Sequence, residues 1–182
     1  GRFWEIGERC EVLVSKNRGF GRETAQDLEP ARQGRRELLV AFELGEALHT
    51  YFQISDVANM TIRGLENCEY LDKVKDFGRF TQKDGIVIES EVDRVYINTT
   101  ADCVIEDKGL KRAIRIAKQG SRSTIVWNPW IEKAEKMGDF GPEGHRGMVC
   151  VESGNAFDDT VTVGAGETHR LSVLYTVESL DD

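Results

Sequence analysis

The sequence predicts an all-β protein in which two antiparallel sheets pack face to face. From about Leu48 onward, short runs of residues alternate between apolar and polar with period two, and they are rich in β-branched and aromatic side chains. Gly, Asp and Asn turns separate these runs, and helical periodicity is scarce. Because each such strand buries one face, the series packs most simply as a β-sandwich.

The candidate strands follow one another along most of the chain. They cover residues 47–53, 57–63, 85–89, 95–98, 103–107, 111–118, 123–128, 147–152, 160–163 and 167–177. One short helix is predicted at residues 131–137, because Pro129 precedes it and Gly138 follows it as start and stop signals.

The organisation of the chain and its net charge exclude some classes of function. Residues 1–36 carry scarcely any strand alternation, so we predict a divergent N-terminal segment at residues 1–44 and one sandwich at residues 45–182. The formal charge of -8, from 24 basic and 32 acidic side chains, opposes binding to nucleic acid or to an anionic membrane surface. A phosphorylated ligand therefore needs a local cluster of basic residues.

The cysteines and histidines predict neither a metal site nor a redox motif. The four cysteines are widely separated and form no CxxC pair. No tight metal-ligand spacing or phosphate loop is present either, so we expect no metal and no cofactor. The chain shows no signal peptide and no apolar run long enough to span a bilayer, which favours a cytoplasmic protein.

His49 is one candidate for acid–base chemistry. If its segment is a strand, alternation places it on one face with Ala47 and Tyr51. The pKa of histidine lies near neutrality, which suits proton transfer. A histidine among strand residues is more often a hydrogen-bonded part of the core, so a functional His49 needs a partner.

Glu152 is a candidate for that partner. It ends a stretch that is otherwise apolar, and alternation places it on the face of Met148 and Cys150. Burial there would raise the pKa of the carboxyl group, which makes a carboxylate a better base near neutral pH. The alternative is that Glu152 lies at a strand end and points to water.

Two more side chains suit contacts with a sugar. Asp93, at the start of a strand, could accept hydrogen bonds from hydroxyl groups, or it could cap a turn or pair with Arg94. Trp127 could present a flat face to a pyranose, or it could belong to the core. The residues themselves leave each alternative open.

Several blocks of residues, taken together in their order, resemble one known family. They are Glu46-Ala47-Leu48-His49-Thr50-Tyr51-Phe52, Gly64-Leu65 with Tyr70-Leu71-Asp72-Lys73, Thr81-Gln82, Asp93-Arg94-Val95-Tyr96, Ser121-Arg122-Ser123-Thr124-Ile125-Val126-Trp127-Asn128-Pro129-Trp130, Met148-Val149-Cys150-Val151-Glu152 and Ala165-Gly166-Glu167. No single block suffices, but their order and spacing resemble the hexose-6-phosphate mutarotase branch of the aldose 1-epimerase family.

This resemblance implies a fold, an activity and roles for particular residues. The fold is a galactose-mutarotase-like β-sandwich, or supersandwich, which agrees with the strand prediction. The activity is interconversion of the α and β anomers of hexose 6-phosphates such as glucose 6-phosphate, by ring opening and closure without a cofactor. The resemblance implies that His49 is the general acid, Glu152 the general base and Asp93 a substrate-binding carboxylate. Trp127 stays a candidate for substrate contact on the grounds given above.

The N-terminal segment departs from the family. Family members have further strands upstream of the His49 block, with phosphate-binding arginines that residues 1–44 do not match, so we expect an N-terminally shortened sandwich. We therefore assign no phosphate-binding residue. The basic side chains that could replace those arginines are Arg18, Arg22, Arg32, Arg35 and Arg36, although a run of charges is more often a solvated face. The alternative function is a sugar-binding, sugar-phosphate-binding or interaction module that has lost catalysis. We expect a monomer, or a dimer if a second chain completes unpaired strands.

Overall fold

The computed structural model describes residues 9–14, 41–138, 141 and 143–180, and for residues 9–14 it describes the backbone alone. The strands of this part of the chain are β1 Arg9–Val14, β2 Phe42–Leu44, β3 Glu46–Leu48, β4 Tyr51–Gln53, β5 Met60–Arg63, β6 Glu69–Asp72, β7 Gly78–Thr81, β8 Val92–Tyr96, β9 Cys103–Asp107, β10 Arg112–Gln119, β11 Ser123–Asn128, β12 Met148–Asn155, β13 Val161–Val163 and β14 His169–Ser179.

These strands form two large antiparallel sheets and one small sheet. The five-stranded sheet has the order β1-β14-β10-β9-β5. The seven-stranded sheet has the order β3-β12-β11-β8-β6-β7, and β4 pairs with β12 beside β3. Strands β13 and β2 form a separate pair. The predicted all-β fold is confirmed.

The main core contains side chains from both large sheets. The five-stranded sheet contributes Ile62, Ile105 and Ile116, and the seven-stranded sheet contributes Tyr96, Val126, Val149 and Val151. All of these side chains are buried. Because neighbouring residues of a strand point to opposite faces, the intervening residues of β8, β11 and β12 lie on the face turned away from this core.

Helical structure is short, as the sequence predicts. The helix α1 covers Trp130–Met137, follows Pro129 and ends at Gly138, whose φ of 74° is the left-handed conformation that closes many helices. Single 3-10 turns occur at Val57–Asn59, Lys73–Lys75, Gly144–Gly147 and Phe157–Asp159. Among the residues that the structure describes, no helix is long and apolar enough to cross a membrane.

The predicted strand at residues 85–89 is wrong. Only Ile86 makes a bridge, to Ile62 of β5. Ile86 and Ile88 are nevertheless buried, at 1% and 3% exposure. The alternation in this segment therefore reflects the burial of two side chains against the core, because burial and strand pairing leave the same pattern in a sequence.

Four observed strands lie outside the prediction. Strand β1 falls in the segment that shows little alternation, yet it pairs with β14 along its whole length. In β6 the consecutive residues Tyr70, Leu71 and Asp72 are all buried, so the strand lacks the period-two pattern. The other two strands, β2 and β7, are only three and four residues long. The five arginines named above as possible replacements for the phosphate-binding arginines of the family lie outside the described residues.

Candidate active site

His49 and Glu152 face each other because of the strand register. Leu48 of β3 pairs with Ser153 of β12, and Tyr51 of β4 pairs with Cys150 of the same strand. The two pairings share one register, so the position of His49 is opposite Glu152. The imidazole Nε2 of His49 lies 3.3 Å from Oε1 of Glu152.

The predicted strand at residues 47–53 is interrupted at His49 and Thr50. The backbone N–H of Thr50 donates to the carbonyl oxygen of Leu48, at 2.8 Å, in place of a ladder bond to β12. The Thr50 hydroxyl also lies 2.8 Å from the hydroxyl of Tyr175 on β14, in the other large sheet. This break leaves the His49 side chain 51% exposed while it stays in register with Glu152.

A second row of paired residues crosses the sheet beside the His49–Glu152 row. Tyr51 of β4 is opposite Cys150 of β12, Cys150 is opposite Trp127 of β11, and Trp127 is opposite Asp93 of β8. All four sequence-predicted site residues, His49, Asp93, Trp127 and Glu152, therefore lie on one face of the seven-stranded sheet, turned away from the main core.

Burial sets the proton affinity of the Glu152 carboxyl group. Glu152 is only 5% exposed and lies inside β12 rather than at its end. Burial raises its pKa to about 7, the negative charge of Asp93 adds to the rise, and the positive charge of Lys73 opposes it. A carboxyl group with this pKa exchanges its proton near neutral pH, which suits a general acid or base.

Aromatic rings and one thiol surround the imidazole of His49. The Tyr51 ring stacks on it at a centroid distance of 4.9 Å, and the Trp127 ring meets it edge-on at 5.8 Å. Nδ1 of His49 lies 3.7 Å from Sγ of Cys150. Burial lowers the pKa of His49 below its ordinary value of 6.5, whereas burial raises that of Glu152.

Asp93 is held by lysine side chains. Its Oδ2 lies 3.0 Å from Nζ of Lys73 and 4.0 Å from Nζ of Lys133. The turn that carries Lys73 begins at Asp72, whose Oδ1 accepts a hydrogen bond from the backbone N–H of Val74 at 3.1 Å. Asp93 is 8% exposed, so its carboxylate combines a buried position with a charged partner.

In the tetrapeptide at residues 127–130, Trp127 belongs to the site and Asn128 supports the surrounding fold. Trp127 is 8% exposed and packs with Met148 and Cys150, whereas the Tyr51 ring is 52% exposed. Asn128 is fully buried, and its amide donates to the carbonyl oxygens of His145 and Met148. Asn128 therefore positions β12 and the preceding turn and does not reach the site.

Three side chains of the site carry the kinds of atom that bind transition metals. One ligand atom each from His49, Cys150 and Glu152 can be chosen so that all lie within 4.8 Å of one another. The sequence does not predict this group, because His49 and Cys150 are 101 positions apart and only strand pairing joins them.

Sequence reasoning also missed Lys73 and Tyr51 as members of the site. Lys73 belongs to a block used for the resemblance, and Tyr51 follows His49 by two positions on the same face. The alternation around His49 was a usable signal for Tyr51. For Lys73 the sequence offered none, because its contact with Asp93 depends on where β6 lies beside β8.

The chain is similar to known proteins along most of its length. A family model described as aldose 1-epimerase matches residues 37–176. A Cenchrus ciliaris protein provisionally named glucose-6-phosphate 1-epimerase is 42% identical over 125 residues, which are 68% of this chain and 38% of that protein. An Escherichia coli K12 protein with the same provisional name is 37% identical over 116 residues, which are 63% of this chain and 39% of that protein. The chain thus spans less than two fifths of the length of these curated relatives.

Solved structures support the same relationship. The crystal structure of a provisionally named mutarotase from Salmonella typhimurium has a TM-score of 0.71 and 31% identity, and the match covers 77% of this chain and 47% of that chain. The predicted galactose-mutarotase-like fold is confirmed. Because the family model matches more than half of the sequence, this chain belongs to the aldose 1-epimerase family.

Proposed function

We propose that this protein interconverts the α and β anomers of hexose 6-phosphates, with His49 and Glu152 as its proton-transfer pair. The observation that carries the proposal is the position of these two groups, opposite each other and 3.3 Å apart on one face of the sheet. Anomer exchange needs one proton removed from the sugar and one delivered to it, and a pair of this kind supplies both.

The proposed reaction proceeds by opening and closing the sugar ring. The Glu152 carboxylate takes the proton of the C1 hydroxyl group while protonated His49 donates its proton to the ring oxygen O5. The C1–O5 bond breaks and leaves a free aldehyde. Rotation about the C1–C2 bond presents the other face of the carbonyl group to the C5 hydroxyl. Closure then returns one proton to His49 and one to the sugar oxygen at C1, so the pair regains its starting state.

The electrostatics of the site favour such an exchange. Burial raises the pKa of Glu152 to about 7 and lowers that of His49 below its ordinary value. A carboxyl group with a pKa of about 7 can both accept and release a proton near neutral pH. Both directions are required, because the roles of the acid and the base exchange between ring opening and ring closure.

The neighbouring side chains suit a sugar. The carboxylate of Asp93 can accept hydrogen bonds from hydroxyl groups, and Lys73 beside it can donate them. The exposed ring of Tyr51 offers an apolar platform beside His49, with the more buried Trp127 behind it. We assign Asp93, Lys73 and Tyr51 to substrate positioning, and Trp127 to support of the His49 and Tyr51 rings.

The preference for a phosphorylated sugar rests on the relatives. Both curated relatives described above carry glucose 6-phosphate in their provisional names. The net charge of -8 opposes an anionic substrate at long range, so recognition of phosphate has to be local. Among the described residues we assign no phosphate ligand, and the specificity is therefore open to direct measurement.

Anomer equilibration measures this function directly. Freshly dissolved α-glucose 6-phosphate and α-glucose are each followed by polarimetry, and exchange NMR gives the rate at equilibrium. We expect acceleration above the buffer rate for glucose 6-phosphate and less acceleration for glucose. Equal acceleration of both sugars would contradict the phosphate preference. Binding of glucose 6-phosphate with no rate above buffer would contradict catalysis and would support the sugar-phosphate-binding module instead.

A further inference from the structure

Three different ligand types meet at the site without any metal-binding motif in the sequence. Cys150 and Glu152 are two positions apart on β12 and therefore share a face, and His49 is brought opposite Glu152 by the strand register. One atom from each side chain can be chosen so that all three lie within 4.8 Å of one another. The thiol and the carboxylate are buried, whereas the imidazole is half exposed.

Two of the distances match those of a tetrahedral zinc site, whereas the group of three ligand atoms spans up to 4.8 Å and must contract when an ion binds. Bonds of about 2.0–2.3 Å from zinc to nitrogen, oxygen and sulfur place neighbouring ligand atoms roughly 3.3–3.7 Å apart in a tetrahedron. Nε2 of His49 lies 3.3 Å from Oε1 of Glu152, and Nδ1 of His49 lies 3.7 Å from Sγ of Cys150. Because these contacts use the two different ring nitrogens, a rotation of the half-exposed imidazole is needed to turn one nitrogen toward the ion.

The donor set selects among metals. A thiolate, an imidazole and a carboxylate suit Zn²⁺, whereas Mg²⁺ and Ca²⁺ require oxygen ligands in larger number. The carboxylate of Asp93 adds negative charge close enough to act on Glu152, and Lys73 opposes it with one positive charge. Three protein ligands would leave one tetrahedral position open to water or to a sugar hydroxyl.

We propose that His49, Cys150 and Glu152 form an inhibitory Zn²⁺ site. Binding deprotonates the thiol, so that the sulfur–zinc bond forms and one proton is released to solvent. The ion occupies lone pairs of both proton-transfer groups and so prevents them from exchanging protons with a sugar. The proposed metal binding does not depend on the function proposed above, whereas the proposed inhibition rests on it.

Co²⁺ is the probe for binding, because a cobalt–thiolate bond gives an intense charge-transfer absorption. The full chain is titrated with Co²⁺ and then with Zn²⁺, as the unaltered protein and as Cys150→Ser, His49→Asn and Cys68→Ser. Cys68 is a half-buried free thiol that contacts Thr99, away from this face, so it is the matched control. Circular dichroism verifies that each variant is folded.

The expected results distinguish the thiols. The unaltered protein and Cys68→Ser show the absorption, and one equivalent of Zn²⁺ removes it. Cys150→Ser lacks the absorption, and His49→Asn binds Co²⁺ at least about 10–100-fold more weakly. The His49 variant changes a half-exposed side chain, so it tests the site even if the buried Cys150 variant does not fold. Absorption that survives in folded Cys150→Ser, equal affinity in His49→Asn, or no absorption in the unaltered protein would overturn the proposal.

Inhibition is measured separately in the anomerisation assay. Zn²⁺ should slow the unaltered protein and Cys68→Ser equally, a chelator should restore both, and increasing sugar concentration should weaken the effect. Cobalt absorption through Cys150 in a chain without anomerase activity would uphold the metal site and overturn the proposed function. Anomerase activity in a chain without cobalt absorption would uphold the proposed function and overturn the metal site.

Discussion

One face of strand β12 is apolar and the other carries reactive side chains, although the residues of the two faces alternate along one short segment. Val149 and Val151 lie in the core between the two large sheets, and both are fully buried. Cys150 and Glu152 lie on the other face, where Glu152 meets His49. Period-two alternation thus allows one strand to stabilise the sandwich and to position a reactive carboxylate at the same time.

The same contrast extends to β11 and β8. Val126 and Tyr96 point into the core, whereas Trp127 and Asp93 share the face of Glu152. The carboxyl groups of Glu152 and Asp93 on that face are buried, but they are not part of the apolar core. A change on the core face should therefore affect stability, and a change on the opposite face should affect proton transfer.

The largest expected effect is the loss of catalysis on the outer face. His49→Asn and Glu152→Gln each remove one proton-transfer group, so kcat for glucose 6-phosphate should fall by about 10²–10⁴-fold. Exchange NMR at saturating sugar measures it. The matched control is Glu69→Gln on β6, where the carboxylate pairs with Arg79 on the surface and activity should stay unchanged. An unchanged rate in either of the first two variants would refute the assigned roles.

The second effect separates function from stability at Glu152. Its folded pKa of about 7 lies above the ordinary value of 4.5, so the stabilisation that accompanies protonation is complete below pH 4.5 and is lost as pH rises through 7. At pH 8 the buried charge therefore opposes folding. Glu152→Gln should be more stable than the unaltered protein at pH 8, by about 3 kcal/mol at most. Urea unfolding at pH 8 and pH 4 measures the difference, which should vanish at the lower pH.

The third effect is a loss of stability on the inner face. Val151→Ala removes buried methyl groups beside Glu152, so the free energy of unfolding should fall by about 2 kcal/mol. The activity of the folded fraction should change little. Val87→Ala, at a side chain that is 51% exposed, is the control and should cost less than about 0.5 kcal/mol. A variant of Val151 that loses activity but no stability would show that the two faces are not separable.

The smallest effect is the dependence of rate on pH. The reactive state holds one proton on the His49–Glu152 pair, so kcat/KM should fall above about pH 7, where that proton leaves, and below the lowered pKa of His49, where a second proton binds. The optimum should lie below pH 7. The ionisation of the substrate phosphate is measured by phosphorus NMR, and the rates are corrected for it before they are compared. A rate that stays constant from pH 5 to pH 9 would exclude this pair.

Local pattern predicted much of the fold and the chemical character of the site residues. The strands β9 and β11 were predicted with their observed ends, and the helix with only its first residue omitted, because alternation and start and stop signals are properties of neighbouring residues. The face of Glu152, shared with Met148 and Cys150, was also predicted. Alternation gave a false strand at residues 85–89, where burial occurs without pairing.

Period-two alternation and turn residues are enough to predict an antiparallel β-sandwich whose strands alternate between apolar and reactive residues. The contacts of His49 with Glu152, of Lys73 with Asp93 and of Cys150 with the imidazole ring depend on the folded sheet. The physical reason is that alternation selects the face of a residue, whereas strand order and register select its partners. Partners distant in sequence meet only when the sheet forms, and burial, together with the negative charge of Asp93, then raises the pKa of Glu152 to about 7.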